Sequence, residues 1–137
     1  MSASTTPPTF PTGRVPAIKR LMMPRDTNAL GTIFGGIIMS EIDLAAAIEA
    51  HKHHPDKVVT VAMDKVEFKQ AVQVGDLVSF FTDTTRIGRT SITAHVSVWA
   101  QRRFGGGSFV HVTEADVTMV AVGDDFKPTP ILRRSAT

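Results

Sequence analysis

Two patterns of hydrophobic and polar residues divide the chain, a helical pattern followed by a series of strand patterns. From Gly35 to His54, apolar residues occupy most positions around a helix, and the pattern ends ahead of Pro55. At about 1.5 Å per residue, such a helix is about 30 Å long, the width of a small domain. After it, apolar and polar residues alternate in runs bounded by turn-forming residues, as in β-strands. These runs cover residues 58–68, 77–85, 90–101 and 108–122, and a short mixed run at 17–23 precedes the helix.

The order of these segments predicts a two-layer α+β fold. The strands that follow the helix are joined mainly by short turns, so they should pair antiparallel. A single helix that is apolar over most of its circumference can bury that surface only against the sheet. The helix is also too apolar for one protomer to cover, and we therefore expect protomers to pair.

The two ends of the chain differ from this central part. Residues 1–16 contain four of the eight prolines and several small polar residues, so we expect a disordered N-terminal arm that does not pack. Residues 17–131 then form a single domain, and residues 132–137 form a frayed C-terminal tail.

Composition and charge narrow the functional classes. A chain of 137 residues with 42% hydrophobic and 20% charged residues is typical of one globular domain. The formal charge of +2 comes from 15 basic and 13 acidic residues scattered along the chain, which argues against nucleic-acid binding. The absence of cysteine excludes disulfides, zinc–thiolate sites and thiol nucleophiles. Neither a signal peptide nor a membrane-spanning apolar run is visible, so we expect a cytoplasmic protein without membrane contact.

One acidic residue interrupts the apolar part of the helix. At about 100° per residue, Asp43 falls near the middle of the apolar arc. The polar side of the helix holds Glu41, Glu49 and Lys52. Because an unpaired buried charge is costly or raises the pKa of its group, we expect Asp43 to be functional. The alternative is that its carboxylate caps a backbone group or meets a cation from elsewhere in the chain.

The helix begins with the pair Gly35-Gly36. Glycines let a ligand approach the backbone, and the free N–H groups of a helix N-terminus attract negative charge. With Asp43 two turns further on, they provide two parts of an acyl-transfer site. The N–H groups would polarise a carbonyl oxygen, and the carboxylate would act as base or nucleophile. The alternative is that the glycines only allow close packing of helix and sheet.

Other polar residues are candidates for binding. Asn28, in the loop before the helix, can orient a water or a carbonyl, although asparagine in such loops is more often a turn former. A strand-to-strand junction combines cations, a glycine and hydroxyls that suit a phosphate, and the next hairpin adds two arginines. Arginine-bearing hairpins are, however, usually only solvated edges. The residues of these two groups are Arg86, Gly88, Arg89, Thr90 and Ser91, and Arg102 and Arg103.

Histidines and carboxylates elsewhere do not predict a metal site. His51, His53 and His54 crowd the end of the helix, where histidine suits the helix dipole, and the first two point to different sides. Glu114 and Asp116 lie on one face of the last strand and are interpreted as surface or interface charges rather than as a catalytic pair.

The loop and the first turns of the helix carry a motif that resembles a known family. Its residues are Asp26–Asn28, Gly31–Gly36, Met39-Ser40 and Asp43, with further matches at Val59–Asp64, Phe68, Val72–Asp76, Gly88–Ile92, Val98-Trp99 and Val112–Ala115. They span residues 20–130 and resemble the hotdog-fold acyl-CoA thioesterases, in particular the YciA-like branch that includes the cytosolic long-chain acyl-CoA hydrolases. Two departures are Ala71, where the family often has Pro, and Ala29-Leu30, where it often has Pro-Asn.

The resemblance implies a hotdog fold, in which a long central helix is wrapped by an antiparallel sheet of five to six strands. It implies a homodimer as the minimal unit, commonly assembled into a hexamer as a trimer of dimers. Asp43 is then the catalytic carboxylate, and Asn28 assists from the facing protomer. Acyl-CoA is the substrate, the loop Gly88–Ser91 and nearby basic residues contact the CoA phosphates, and no separate cofactor or metal is required.

Other activities on the same fold provide the alternatives. A hotdog dehydratase or hydratase would have a His five residues after the Asp. In this chain that position is Ile48, which argues against this alternative. A non-catalytic acyl-CoA-binding protein is the second alternative. Regulators of that kind normally carry a DNA-binding segment, which the Pro-rich arm of 16 residues cannot form. We therefore expect an acyl-CoA thioesterase.

Overall fold

The computed structural model describes residues 7–132 and contains one long helix and five strands. The elements are, in chain order, β1 (Ile18–Leu21), a 3₁₀ turn (Pro24–Asp26), α1 (Gly35–Ala50), β2 (Val58–Asp64), β3 (Leu77–Ile87), β4 (Ser91–Gln101) and β5 (Phe109–Ala121). Their order and type are those predicted from the hydrophobic patterns. No helix among the described residues is long and apolar enough to cross a membrane.

The five strands form one antiparallel sheet in the order β1-β3-β4-β5-β2. The long strands β3, β4 and β5 follow one another through hairpins and occupy the centre. Strand β2 follows the helix in the chain but lies at the far edge, beside β5. Its outer edge has no strand partner among the described residues. The predicted α+β arrangement of a helix against an antiparallel sheet is confirmed.

Helix α1 packs against the concave face of the sheet through small and branched side chains. Its fully buried apolar residues recur every three or four positions and so form one stripe. The alanines in this stripe let the helix approach the sheet closely, where it meets large apolar residues of the central strands. The stripe consists of Ile38, Ile42, Ala45, Ala46 and Ala50, and the facing core includes Phe80, Val96, Val98 and Val117.

The predicted orientation of the helix was wrong. Glu49, which was assigned to the polar side, is only 4% exposed, and Asp43 is half-buried outside the core. The true outer side includes Leu44 and Ile48, which are 53% and 46% exposed. Apolar residues surround almost the whole helix, so their pattern does not distinguish the side that faces the sheet from the side that faces outward.

Polar partners inside the fold make the burial of Glu49 possible. Its carboxylate accepts hydrogen bonds from Thr82 Oγ1 at 2.9 Å and Thr84 Oγ1 at 2.6 Å and pairs with Lys52 Nζ at 2.8 Å. Burial alone raises the pKa of Glu49, but the bonds from Lys52 and the two threonines outweigh it and hold that pKa below its ordinary value. Glu49 thus attaches the helix to β3.

Part of the N-terminal arm does pack, contrary to the expectation for residues 1–16. The ring of Phe10 stacks on Phe109 with centroids 4.0 Å apart and meets Phe81 and Trp99 edge-on. The guanidinium of Arg14 then pairs with Asp83 at 3.1 Å. The aromatic residues on the outer face of the sheet therefore have a cover within the same chain, which the composition of the arm alone does not predict.

The ends of the chain fall partly outside the described residues, which exclude 1–6 and 133–137. For residues 1–6, the prediction of a disordered arm lies outside the described residues, and so does the prediction of a frayed tail for residues 133–137. Leu132, the last described residue, donates its backbone N–H to His54 Nδ1 at 3.1 Å.

Candidate active site

Asp43 lies beside strand β2, where its carboxylate has one hydrogen-bond partner among the described residues. Thr60 Oγ1 donates to Asp43 Oδ1 at 2.5 Å. The β2–β5 register shifts between Thr60 and Ala62, and such bulges commonly re-aim side chains beside active sites. No basic side chain of residues 7–132 forms an ion pair with Asp43. The carboxylate is therefore held by a hydroxyl at the edge of the fold and is not neutralised.

Exposed apolar residues lie on the two elements that carry this contact. We call them the open face; they are Met39, Leu44 and Ile48 of α1 and Val61 of β2, all at least 40% exposed. An unpaired strand edge flanked by apolar side chains is a surface that proteins normally cover. A carboxylate on such a surface suits a cleft between two protomers better than open solvent.

The N-terminus of α1 presents free backbone donors. The N-cap residue Phe34 makes no side-chain capping bond. The N–H of Ile37 bonds the carbonyl of Phe34 at 2.9 Å, whereas the N–H groups of Gly35 and Gly36 have no acceptor among the described residues. These two N–H groups and the positive end of the helix dipole can stabilise a developing negative charge.

The two glycines also pack against aromatic rings, as the alternative interpretation of the pair expects. A Cβ added to Gly36 would lie 2.5 Å from Cε2 of Phe34, which leaves no room for a side chain. At Gly35 the added atom would lie 3.7 Å from the ring of Phe68, an ordinary contact. A side chain at position 36 would therefore displace the ring of Phe34.

The free donors and the carboxylate are far apart within one protomer. Gly36 and Asp43 are two helical turns apart, which is about 10 Å along the helix axis. A carbonyl oxygen at the helix N-terminus therefore cannot lie beside Asp43 of the same chain. One protomer contains both parts of the predicted site but does not bring them together.

Asn28 is a loop-forming residue within the protomer. Its Oδ1 accepts the N–H groups of Leu30 at 2.8 Å and Thr32 at 3.2 Å, and its Nδ2 donates to Thr32 Oγ1 at 3.0 Å. These bonds close a short hairpin, Thr27 to Ile33, just ahead of the helix. Asn28 makes no hydrogen bond with Asp43 among the described residues, and its predicted catalytic part requires a second protomer.

The two groups of predicted phosphate-binding residues lie at opposite ends of the sheet. Arg86 and Arg89 are exposed at the β3–β4 hairpin, which also carries Thr90. The Gly88 N–H closes this hairpin by donating to the Ser91 carbonyl at 2.8 Å. Arg102 and Arg103 follow β4, an 11-residue strand about 35 Å long. Within one protomer, Arg102 and Arg103 therefore cannot extend the phosphate-binding group at the β3–β4 hairpin, contrary to the expectation.

Arg102 also has a structural role. Its guanidinium pairs with the buried carboxylate of Asp76 and donates to the carbonyl of Ala71 at 3.0 Å. Arg103, next to it, is exposed. Of the predicted cations, Arg86, Arg89 and Arg103 thus present guanidinium groups to solvent, while Arg102 holds together the loop that precedes β3.

The histidines at the end of α1 do not form a metal site. His53 Nε2 is bonded to Thr84 Oγ1 at 2.8 Å, and His54 is buried. Within residues 7–132 no group of three or more His, Asp or Glu side chains is arranged to hold a metal ion.

Thr60 is the residue that sequence analysis missed. It stands in the strand pattern Val58–Asp64 like any other polar strand residue. Only the position of β2 relative to the helix reveals that its hydroxyl meets Asp43, so no local signal identifies it.

Comparison with known proteins bears on the fold and the family of the chain. Residues 30–103 match the family model of the thioesterase superfamily. The chain is 39% identical to the acyl-CoA thioester hydrolase YciA of Salmonella typhimurium over 83% of this chain and 87% of that protein. A hexameric hotdog-fold thioesterase of Campylobacter jejuni superposes with a TM-score of 0.80 at 48% identity, covering 85% of this chain and 89% of the other. An acyl-CoA hydrolase from Staphylococcus aureus, solved with butyryl-CoA, CoA and CoA disulfide, superposes at 0.75 with 31% identity over 85% and 70%.

These likenesses define a hotdog-fold protein, and the chain belongs to the thioesterase superfamily. The predicted resemblance to its YciA-like branch is confirmed by the YciA relatives.

Proposed function

We propose that this protein hydrolyses acyl-CoA thioesters to a carboxylic acid and CoA. The observation that carries the proposal is Asp43, a carboxylate held by Thr60 on an apolar face of a thioesterase-superfamily chain. The named YciA relative and the Staphylococcus aureus hydrolase support acyl-CoA as the substrate class. We further propose that the enzyme acts in the cytoplasm.

The catalytic unit that we propose is a homodimer. One protomer contributes Asn28 and the N–H groups of Gly35 and Gly36, and Asp43 and Thr60 come from the partner subunit. The separation of about 10 Å between the helix N-terminus and Asp43 within one chain supports this division. Pairing would also cover the open face and the free edge of β2. Because the Campylobacter jejuni protein is hexameric, we expect three such dimers to assemble.

The proposed reaction uses the two half-sites together. The helix N–H groups polarise the thioester carbonyl and stabilise the oxyanion of the tetrahedral intermediate. If Asp43 is the base, it takes a proton from water, and the resulting hydroxide adds to the carbonyl carbon. The C–S bond then breaks, and the proton passes to the thiolate. If Asp43 is the nucleophile, the carboxylate displaces the thiolate to form an anhydride, which water then hydrolyses.

We further propose that the exposed cations bind the CoA phosphates. Arg86 and Arg89 stand beside Gly88, Thr90 and Ser91 on the β3–β4 hairpin, where forked donors and hydroxyls meet a backbone turn. Arg103, at the other end of the sheet, is a separate candidate and would act at a site formed with another protomer. No metal or separate cofactor takes part in this scheme.

The experiment that tests the function is thiol release from acyl-CoA by the wild type and by Asp43→Asn. Hydrolysis should fall at least about a hundredfold in the variant, the scale typical of general base catalysis. CoA binding should persist, because Asp43 does not contact the phosphates in this scheme. Full activity of Asp43→Asn would refute the mechanism. A wild type that binds acyl-CoA without releasing thiol would instead establish the alternative, a non-catalytic acyl-CoA-binding protein.

A further inference from the structure

Two aromatic rings border the N-terminus of α1. The ring of Phe34 lies against Gly36, and the ring of Phe68 lies against Gly35. Successive helical residues point about 100° apart, so the two rings stand on different sides of the helix end. Between them are the N–H groups that have no acceptor among the described residues.

Both rings are only partly covered. Phe34 is 56% exposed and Phe68 is 43% exposed. The two half-exposed rings therefore form apolar walls, and the free N–H groups between them form a polar centre. This combination is typical of small-molecule sites, which are lined by apolar and aromatic groups around a few polar ones.

A cavity adjoins one of the rings. It has a volume of about 310 Å³ and lies on the Phe68 side of the helix end, lined there by Gly35, Ile38 and Val72 as well. Phe34 stands outside it, on the Gly36 side. Gly36 and Asp43 are seven residues apart and therefore lie on the same side of the helix. Phe34 thus borders the approach to the donors from a different side than the cavity does.

We propose that Phe34 is a specificity-determining residue that limits branching at the carbon next to the thioester carbonyl. This inference rests on the proposed function, in which the carbonyl oxygen binds the N–H groups of Gly35 and Gly36. The Phe34 ring touches the backbone at Gly36, so it occupies the space beside a carbonyl bound there. An unbranched acyl group passes the ring, whereas a methyl branch at the α-carbon meets it. Straight-chain acyl-CoA is therefore the preferred substrate class.

The test compares two substrates with the same number of carbon atoms, butyryl-CoA and isobutyryl-CoA. The wild type should favour butyryl-CoA in kcat/KM. In Phe34→Ala the ratio of isobutyryl-CoA to butyryl-CoA should rise about tenfold, because one methyl group in an apolar site changes rates by about 10- to 200-fold. Phe34→Leu should give a smaller rise. Phe126→Ala, which removes a phenyl group that is 69% exposed beyond β5, should leave the ratio unchanged.

The outcomes separate this inference from the function on which it rests. If the wild type hydrolyses butyryl-CoA and the ratio stays constant in Phe34→Ala, the specificity role is refuted while the function stands. If the wild type hydrolyses neither substrate, the proposed function fails and the inference fails with it. Should Phe34→Ala not fold, as judged by circular dichroism and gel filtration, the ratio in Phe34→Leu decides in the same way.

Discussion

The contact between Thr60 and Asp43 gives the carboxylate a fixed position without neutralising it. A hydroxyl that donates to a carboxylate oxygen limits the rotation of the acidic side chain. A lysine or arginine in its place would compete with the substrate for the carboxylate. The sequence predicts a functional Asp43 because its neighbours one turn away are apolar. It does not predict Thr60. The contact between Thr60 and Asp43 depends on where β2 packs beside the helix, which the sequence of the strand does not show.

The first prediction concerns Thr60 as a positioning residue. Thr60→Val keeps the size of the side chain and removes the hydroxyl, so kcat for acyl-CoA should fall about tenfold with little change in KM, on the scale of one hydrogen bond to a charged group. Thr60→Ser should restore most of the rate. Steady-state kinetics on purified variants measure both, with Thr118→Val, a threonine of β5, as the matched control. A loss confined to KM, or no recovery in Thr60→Ser, would contradict the positioning role.

At the scale of elements, β4 and β5 are joined on the outer face of the sheet by charged side chains. His95 of β4 bonds Asp116 through Nδ1 at 2.7 Å and bonds Glu114 through Nε2. Only the doubly protonated imidazole can donate to both carboxylates. Burial lowers the pKa of His95, but the bonds to Asp116 and Glu114 outweigh it and raise that pKa above its ordinary value. The prediction of surface charges at Glu114 and Asp116 did not include this pairing across strands.

Other charged groups stand around His95; the carboxylates favour its charged form, whereas cations such as Lys65 oppose it. Asp83 stands opposite it on β3 and is paired with Arg14, while Lys65 pairs with Asp116 at 3.5 Å. His111 lies 3.0 Å from Glu114, yet burial holds the pKa of His111 below its ordinary value. His95 is therefore the histidine of this cluster that gains stability from its charge.

The second prediction is a dependence of stability on pH that passes through His95. Because its pKa is raised in the folded state, its contribution is fully present below the unfolded pKa of about 6.5 and is lost as pH rises through the folded pKa. His95→Asn should lower Tm by about 4 °C at pH 6 and by much less at pH 9.5. Thermal unfolding at the two pH values measures this difference. An equal loss at both, or the same pattern in the control His51→Asn, would contradict it.

The elements also show how far sequence reasoning extends. The strand runs of β4 and β5 were predictable because their alternation matches one buried and one outer face, whereas β3 is buried continuously over residues 78–82. The rotation of α1 was not predictable, because its apolar residues lie on nearly every side. Glu49 was misplaced for the same reason: its partners Thr82 and Thr84 belong to β3, 33 and 35 residues away in the chain.

At the scale of the whole molecule, the architecture of one chain explains why its site is incomplete. The fold was predictable from element order and from the resemblance of the helix motif. The relation of Asn28 to Asp43 across two protomers followed from the resemblance alone, because the hydrophobic pattern of one chain does not bring the two residues together. In the proposed dimer, the open face, the free edge of β2 and the helix N-terminus of two chains come together as one site.

The third prediction tests this division of the site directly. Asn28→Ala and Asp43→Ala should each be nearly inactive as purified homodimers, and co-expression with two different tags should yield a mixed dimer. One site of the mixed dimer then combines both defects, and the other combines Asn28 of one chain with Asp43 of the other, both intact. A randomly mixed preparation should therefore regain about a quarter of the wild-type thiol release, because about half the dimers are mixed and each has one intact site of two. If a single chain supplied both residues, every site in the mixture would carry one defect, and activity would stay at the level of the separate variants.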